Sequence, residues 1–137
     1  METAPQSPAS PASPASPASF EEFWPYYVSQ HRDKTCRRLH FVGTTIAMGC
    51  VAAAPFYPPA LLAAPVAGYG FAWLGHFVFE HNKPASWLGA KEVVWSLRGD
   101  LRMWKKMLTG AMDGEVERLS DRHGDEIDAI HAQYAAH

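Results

Sequence analysis

The sequence predicts an all-α fold, a membrane helical hairpin with flanking amphipathic helices, and three observations lead there. No Lys, Arg, Asp or Glu occurs from Phe41 to Phe79, a run of 39 residues, close to twice the roughly 20 that cross a bilayer as one helix. Pro55, Pro58 and Pro59 interrupt this run near its middle, where a chain that cannot continue a helix must turn. On either side of it, apolar and polar residues alternate with a helical period instead.

The chain begins with a segment of a different kind. Pro-Ala-Ser triplets repeat from Pro8 to Ser19 without an aromatic residue. Such a composition buries too little apolar surface to offset chain entropy, so residues 1–19 are expected to form a disordered, partly polyproline spacer. It lacks the basic start and apolar stretch of a signal peptide. The folded domain is therefore placed at 20–112, followed by an acidic polar tail at 113–137.

A short helix is predicted from Phe20 to about Gln30. Ser19 is a suitable N-cap, Glu22 stands three residues on as in a capping box, and Phe20, Phe23, Trp24 and Tyr27 recur at helical spacing. Pro25 is expected to shift its start or bend it. The segment from His31 to His40 reads as a polar connection.

Two antiparallel helices follow, at about Leu39–Ala54 and Ala60–Glu80. Gly43, Gly49, Gly68, Gly70 and Gly75 suit close helix contact within lipid. Basic residues precede the first span (Arg32, Lys34, Arg37, Arg38) and follow the second (Lys83, Lys91, Arg98), while the hairpin tip is uncharged. By the positive-inside rule both termini are cytoplasmic. A helical pair buried in a soluble oligomer is the alternative, and association of several copies stays open.

Residues 85–94 read as a loop with Trp87 as an interfacial anchor. A last amphipathic helix, about Ser96–Leu108, sets Leu97, Leu101, Trp104 and Leu108 against Arg98, Arg102, Lys105 and Lys106. In the tail, Val116, Leu119, Ile127 and Ile130 allow a weak helix, and His123, His131 and His137 are expected to face solvent.

The net charge of −2 conceals −1 in residues 1–19, +4 in 20–112 and −5 in 113–137. The basic residues flank an apolar stretch and form no long run, which fits anionic headgroups and not nucleic acid. Cys36 and Cys50 show neither CxxC nor zinc-finger spacing, so both are read as reduced thiols. No GxSxG, GxGxxG or Walker-type motif is present, which disfavours hydrolases of the serine class and nucleotide enzymes.

Ionisable side chains at the edge of an apolar span usually face a cavity or a partner. His76 and Glu80 are four residues apart on one helix, so they share a face. His81 joins them only if the helix ends or unwinds near Asn82. A hairpin returns its ends to one side, bringing His40 to His76 and Glu80. His31 reaches the group if the connection at Arg32–Arg37 turns. Imidazoles with one carboxylate suit non-heme Fe(II), and zinc accepts similar ligands.

The stretches Arg38-Leu-His-Phe-Val-Gly-Thr44, Gly68-Tyr-Gly-Phe-Ala-Trp-Leu-Gly-His-Phe-Val-Phe-Glu-His-Asn-Lys-Pro-Ala85 and Ser96-Leu-Arg-Gly-Asp-Leu-Arg-Met-Trp104 resemble the bacterial branch of the 2-hydroxy fatty acid dioxygenase-like family, over about Phe20–Gly110. The resemblance implies an Fe(2+) cofactor, dioxygen as co-substrate, and removal of one carbon from a 2-hydroxy fatty acid or similar lipid. Carried to matching positions, it implies catalytic roles for His31, His40 and His76, with Glu80 and His81 as further metal ligands. Lys83 or Arg38 is a candidate partner for the substrate carboxylate. On the residues alone, a non-catalytic membrane protein of structural or assembly role and a zinc-dependent lipid hydrolase remain open.

Overall fold

A computed structural model describes residues 17–87 and 89–135, with side chains as far as Arg122. Most of the Pro-Ala-Ser segment and the side chains of His123, His131 and His137 lie outside that description. The described residues form five α-helices: α1 (Phe20–Ser29), α2 (Lys34–Ala53), α3 (Ala60–Leu74), α4 (Ala90–Leu108) and α5 (Met112–Ala135). A π-helical turn, Gly75–Glu80, prolongs α3, and a single 3-10 turn, Ala85–Trp87, precedes α4.

The start of α1 follows its local chemistry. The Ser19 hydroxyl accepts from the Glu22 N–H at 3.2 Å, while the Glu22 carboxylate reaches back to the Ala18 N–H at 2.9 Å. This is a capping box displaced by one residue on its return arm. Pro25 lies inside α1 without ending it.

Two boundaries differ from the sequence expectation. The connection expected across His31–His40 is confined to residues 30–33, because the Asp33 carboxylate caps α2 by accepting from the Cys36 N–H at 2.9 Å. The turn therefore ends at Asp33 instead of running on to Arg37. Likewise α4 begins at Ala90, six residues before Ser96, so most of the expected loop at 85–94 is helical. In both places a polar first turn obscured a helix start.

Helices α2 and α3 pack antiparallel, as descending pairs of neighbours show. A Cβ on Gly43 would come within 2.8 Å of the Phe71 Cβ, one on Gly68 within 3.7 Å of the Ala47 Cβ, and one on Gly75 within 2.8 Å of the Cys36 Sγ. Gly43 and Gly75 are thus contact points where no larger residue fits unshifted. Among the described residues one helix, Ala60–Glu80, is long and apolar enough to cross a membrane. The α2 stretch does not meet that measure, so the expected two-span hairpin reduces to one candidate span. Lys34, Arg37 and Arg38 in its first turns and its Gly and Thr content account for this.

The core lies elsewhere. Phe20, Phe23, Trp24, Tyr26, Tyr27 and Val28 of α1 cluster with Met103 of α4 and with Met112 and Leu119 of α5. Glu115 of α5 accepts from the Trp24 indole N–H at 2.9 Å. The basic face of α4 is partly occupied by the same layer, since Arg98 lies 4.2 Å from the Phe20 ring centroid and Arg102 4.5 Å from that of Trp24.

Candidate metal centre

Two chain reversals bring three histidines together. His31 follows α1 at the tight turn, His40 sits two turns into α2, and His76 lies in the π-helical turn that returns from α3. All three are buried. Their ring centroids are 4.4 Å (His31–His40), 4.6 Å (His31–His76) and 5.1 Å (His40–His76) apart.

The outer nitrogens settle the tautomers. His31 Nδ1 lies 2.6 Å from the Tyr27 carbonyl, His40 Nδ1 lies 2.9 Å from Asp100 Oδ1, and His76 Nδ1 lies 2.7 Å from Asn82 Oδ1. Each partner is an acceptor; the Asn82 amide nitrogen is the group that donates, to the Gln30 carbonyl at 3.2 Å. Every Nδ1 therefore carries a proton, leaving each Nε2 with a lone pair.

Two of these lone pairs, those of His31 and His40, face each other. His31 Nε2 and His40 Nε2 stand 3.1 Å apart, a separation at which two bare acceptors repel unless a proton or a cation lies between them. Burial, with His40 and His76 alongside, holds His31 well below the usual histidine range, so it stays neutral and able to ligate. The donor set thus fits a divalent cation. Nδ1 pinned to a carbonyl, a carboxylate and an amide is the outer arrangement that orients metal-bound imidazoles.

Cys36 completes the group. One ligand atom from each of His31, Cys36, His40 and His76 lies within 4.8 Å of the other three. Burial, reinforced by Glu80 and Asp33, pushes the thiol well above its usual range. It is a neutral thiol unless a cation holds it as thiolate.

Glu80 and His81 take other positions. The Glu80 carboxylate accepts from the Asp33 backbone N–H at 2.6 Å, which ties the end of the π turn to the start of α2. His81 is exposed and adopts a left-handed conformation (φ 54°). Its N–H and that of Asn82 both return to the His76 carbonyl. The reversal at His81 is what carries Asn82 back to His76. Lys83 and Arg38 are exposed, and neither lines the large groove beside the histidines.

Asp100 was not singled out by sequence reasoning, although it is the sole acidic residue in the second half of α4. Besides His40 it accepts from the Thr44 hydroxyl in a very short bond, and from the Tyr27 hydroxyl at 3.5 Å. Gly99 makes room for that arrangement, since a Cβ there would meet the Tyr27 ring at 3.0 Å. Arg37, also buried, donates to the His31 carbonyl at 2.8 Å, the Arg32 carbonyl at 2.6 Å and Asp113 at 2.8 Å. It locks the turn bearing His31 and joins it to α5.

Residues 17–112 match the family described as 2-hydroxy-palmitic acid dioxygenase Mpo1-like. No curated protein and no solved structure matches significantly.

Proposed function

The chain belongs to the Mpo1-like family, and from that premise we propose that it is an Fe(II)-dependent dioxygenase shortening a 2-hydroxy fatty acid, or a closely similar lipid, by one carbon. The overall change would be R–CH(OH)–COOH plus dioxygen giving R–COOH, carbon dioxide and water. The C1–C2 bond breaks, C2 is oxidised to the new carboxyl carbon, and dioxygen is the oxidant.

One observation carries this reading: three buried imidazoles converge, with ring centroids 4.4 to 5.1 Å apart, while each Nδ1 is engaged by an acceptor outside the group. His31, His40 and His76 would hold the ion, with Cys36 within reach as a further ligand. When bound, ferrous iron supplies the one-electron chemistry that lets dioxygen react with a closed-shell acid. Asp100, Asn82 and the Tyr27 carbonyl keep the imidazoles in the ligating tautomer. Burial of all three histidines keeps bulk water from the reacting end of the substrate.

We read the chain as membrane-embedded, with the α2–α3 pair entering and leaving the bilayer on the same side so that both termini are cytoplasmic. In support, α3 leaves Leu61, Leu62, Val66 and Leu74 exposed, with Leu62 at 77 % and Val66 at 73 %. Soluble proteins rarely expose an apolar surface of that continuity.

The test is anaerobic purification, loading with Fe(II) or Zn(II), and exposure to dioxygen with 2-hydroxy fatty acids. Iron-loaded protein should bind one ion per chain, consume dioxygen and release the acid one carbon shorter. Zinc-loaded protein should do neither of the last two. Substrate cleavage by the zinc form without oxygen uptake would establish a hydrolase instead.

A further inference from the structure

A groove of about 580 Å3 runs along the α2–α3 pair, with α4 forming its wall near the histidines. Small-molecule sites occupy about 300–1,000 Å3. One end contains His31, His76, Asp100 and Ser96; the other is bounded by Val51 and Ala64.

Its two ends differ in chemistry. At the histidine end the Ser96 Oγ is buried and has no hydrogen-bond partner, an orphaned group of the kind a ligand satisfies. Beyond Thr44 the α2 and α3 walls carry no charged residue. Ala47, Gly68 and Ala72 leave room along the floor. A polar end beside a metal-ready cluster, continued by an apolar trough, is complementary to an amphiphile with a single tail.

Length narrows the occupant. Along the α3 wall, His76 at one end and Ala64 at the other are twelve residues apart, which at 1.5 Å per residue is about 18 Å. An extended alkyl chain with C–C bonds of about 1.5 Å and angles near 111° advances about 1.25 Å per carbon. The groove therefore accommodates a tail of about 14 carbons.

We propose that this groove seats the extended alkyl tail of a long-chain 2-hydroxy acid, its polar end at Ser96 and the histidines, and that Val51 and Ala64 set the longest tail accepted. The proposal rests on the dioxygenase reading for the identity of the polar end. Seating of the tail does not itself require metal or dioxygen.

The experiment uses the full chain in phosphatidylcholine nanodiscs, metal-free and without dioxygen, with 2-hydroxy acids bearing a diazirine at the last carbon. A sixteen-carbon probe should label the segments around Val51 and Ala64, and a ten-carbon probe those nearer Thr44 and Ala72. Excess unlabelled acid should suppress both. Labelling that ignores chain length, or falls on Leu62 and Val66 without competition, overturns the proposal and marks the groove as a surface filled by bilayer lipid. As a second arm, Val51→Trp in the iron-loaded protein should lower turnover of the sixteen-carbon acid about tenfold or more while leaving the ten-carbon acid within about twofold. Ala64→Phe should act in the same direction. An equal effect on both acids overturns the proposal. Chain-length-dependent labelling without turnover of any acid would leave the groove assignment standing and sink the dioxygenase reading.

Discussion

The α1 layer and the outer half of the α2–α3 pair are both rich in large apolar side chains, yet their burial is opposite. Phe23 is 0 % exposed, and Trp24 and Tyr27 are each 2 %, whereas Phe56 is 91 % and Leu62 77 % exposed. The aromatics of α1 are covered by α4 and α5, so their hydrophobic stabilisation arises within the chain. The large apolar side chains of the helical pair have no covering element among the described residues, so on the proposed membrane reading their contribution comes from the bilayer. The histidine cluster sits on the seam: His31 hangs from the buried layer, while His40 and His76 come from the pair. Stability should therefore be lost in one region and chemistry in the seam.

The largest expected effect breaks the buried side. Phe23→Ala removes a fully enclosed ring and should cost about 3–5 kcal/mol of unfolding free energy, measured by denaturant titration in detergent. A loss under about 1 kcal/mol would mean that α1 is not the core.

At the seam, His76→Ala should reduce metal affinity at least about a hundredfold, while far-UV circular dichroism and membrane fractionation remain as in the parent. A variant that retains one ion per chain would show that the imidazole is there for packing.

One step outward, Asp100→Asn keeps the shape but can offer an N–H where His40 needs an acceptor. Metal affinity should fall about 10–100-fold, read by competition with a chromogenic chelator. Unchanged affinity would remove Asp100 from the account of how His40 is oriented.

On the open side, Leu62→Ala should change unfolding free energy in detergent by no more than about 0.5 kcal/mol. A cost above about 2 kcal/mol would show that a partner or a second copy covers this face.

Much of this arrangement could be read from neighbours in the sequence. Ser19 and Glu22 announced the start of α1, and the prolines at 55, 58 and 59 announced the reversal between α2 and α3. His40 and His76 could be paired because the ends of two antiparallel helices must meet. Other parts were hidden by their own polarity: Arg32–Arg38 resembles a loop until Asp33 is recognised as a cap. Glu80 shares a helix with His76, but its carboxylate engages the Asp33 N–H, a group that no spacing rule identifies. Cys36 reads only as a reduced thiol until α2 places it against Gly75 and beside the histidines.

The sequence by itself determined the start of α1, the reversal between α2 and α3 and which stretch is bare of charge, because caps, proline breaks and periodicity act over about four residues. Only the tertiary structure decided which groups complete the site. Asp100 meets His40 across 60 residues and Arg37 meets Asp113 across 76. Such pairings depend on how whole helices pack, and the directed bonds of buried polar groups are satisfied only once that packing has brought their partners within reach.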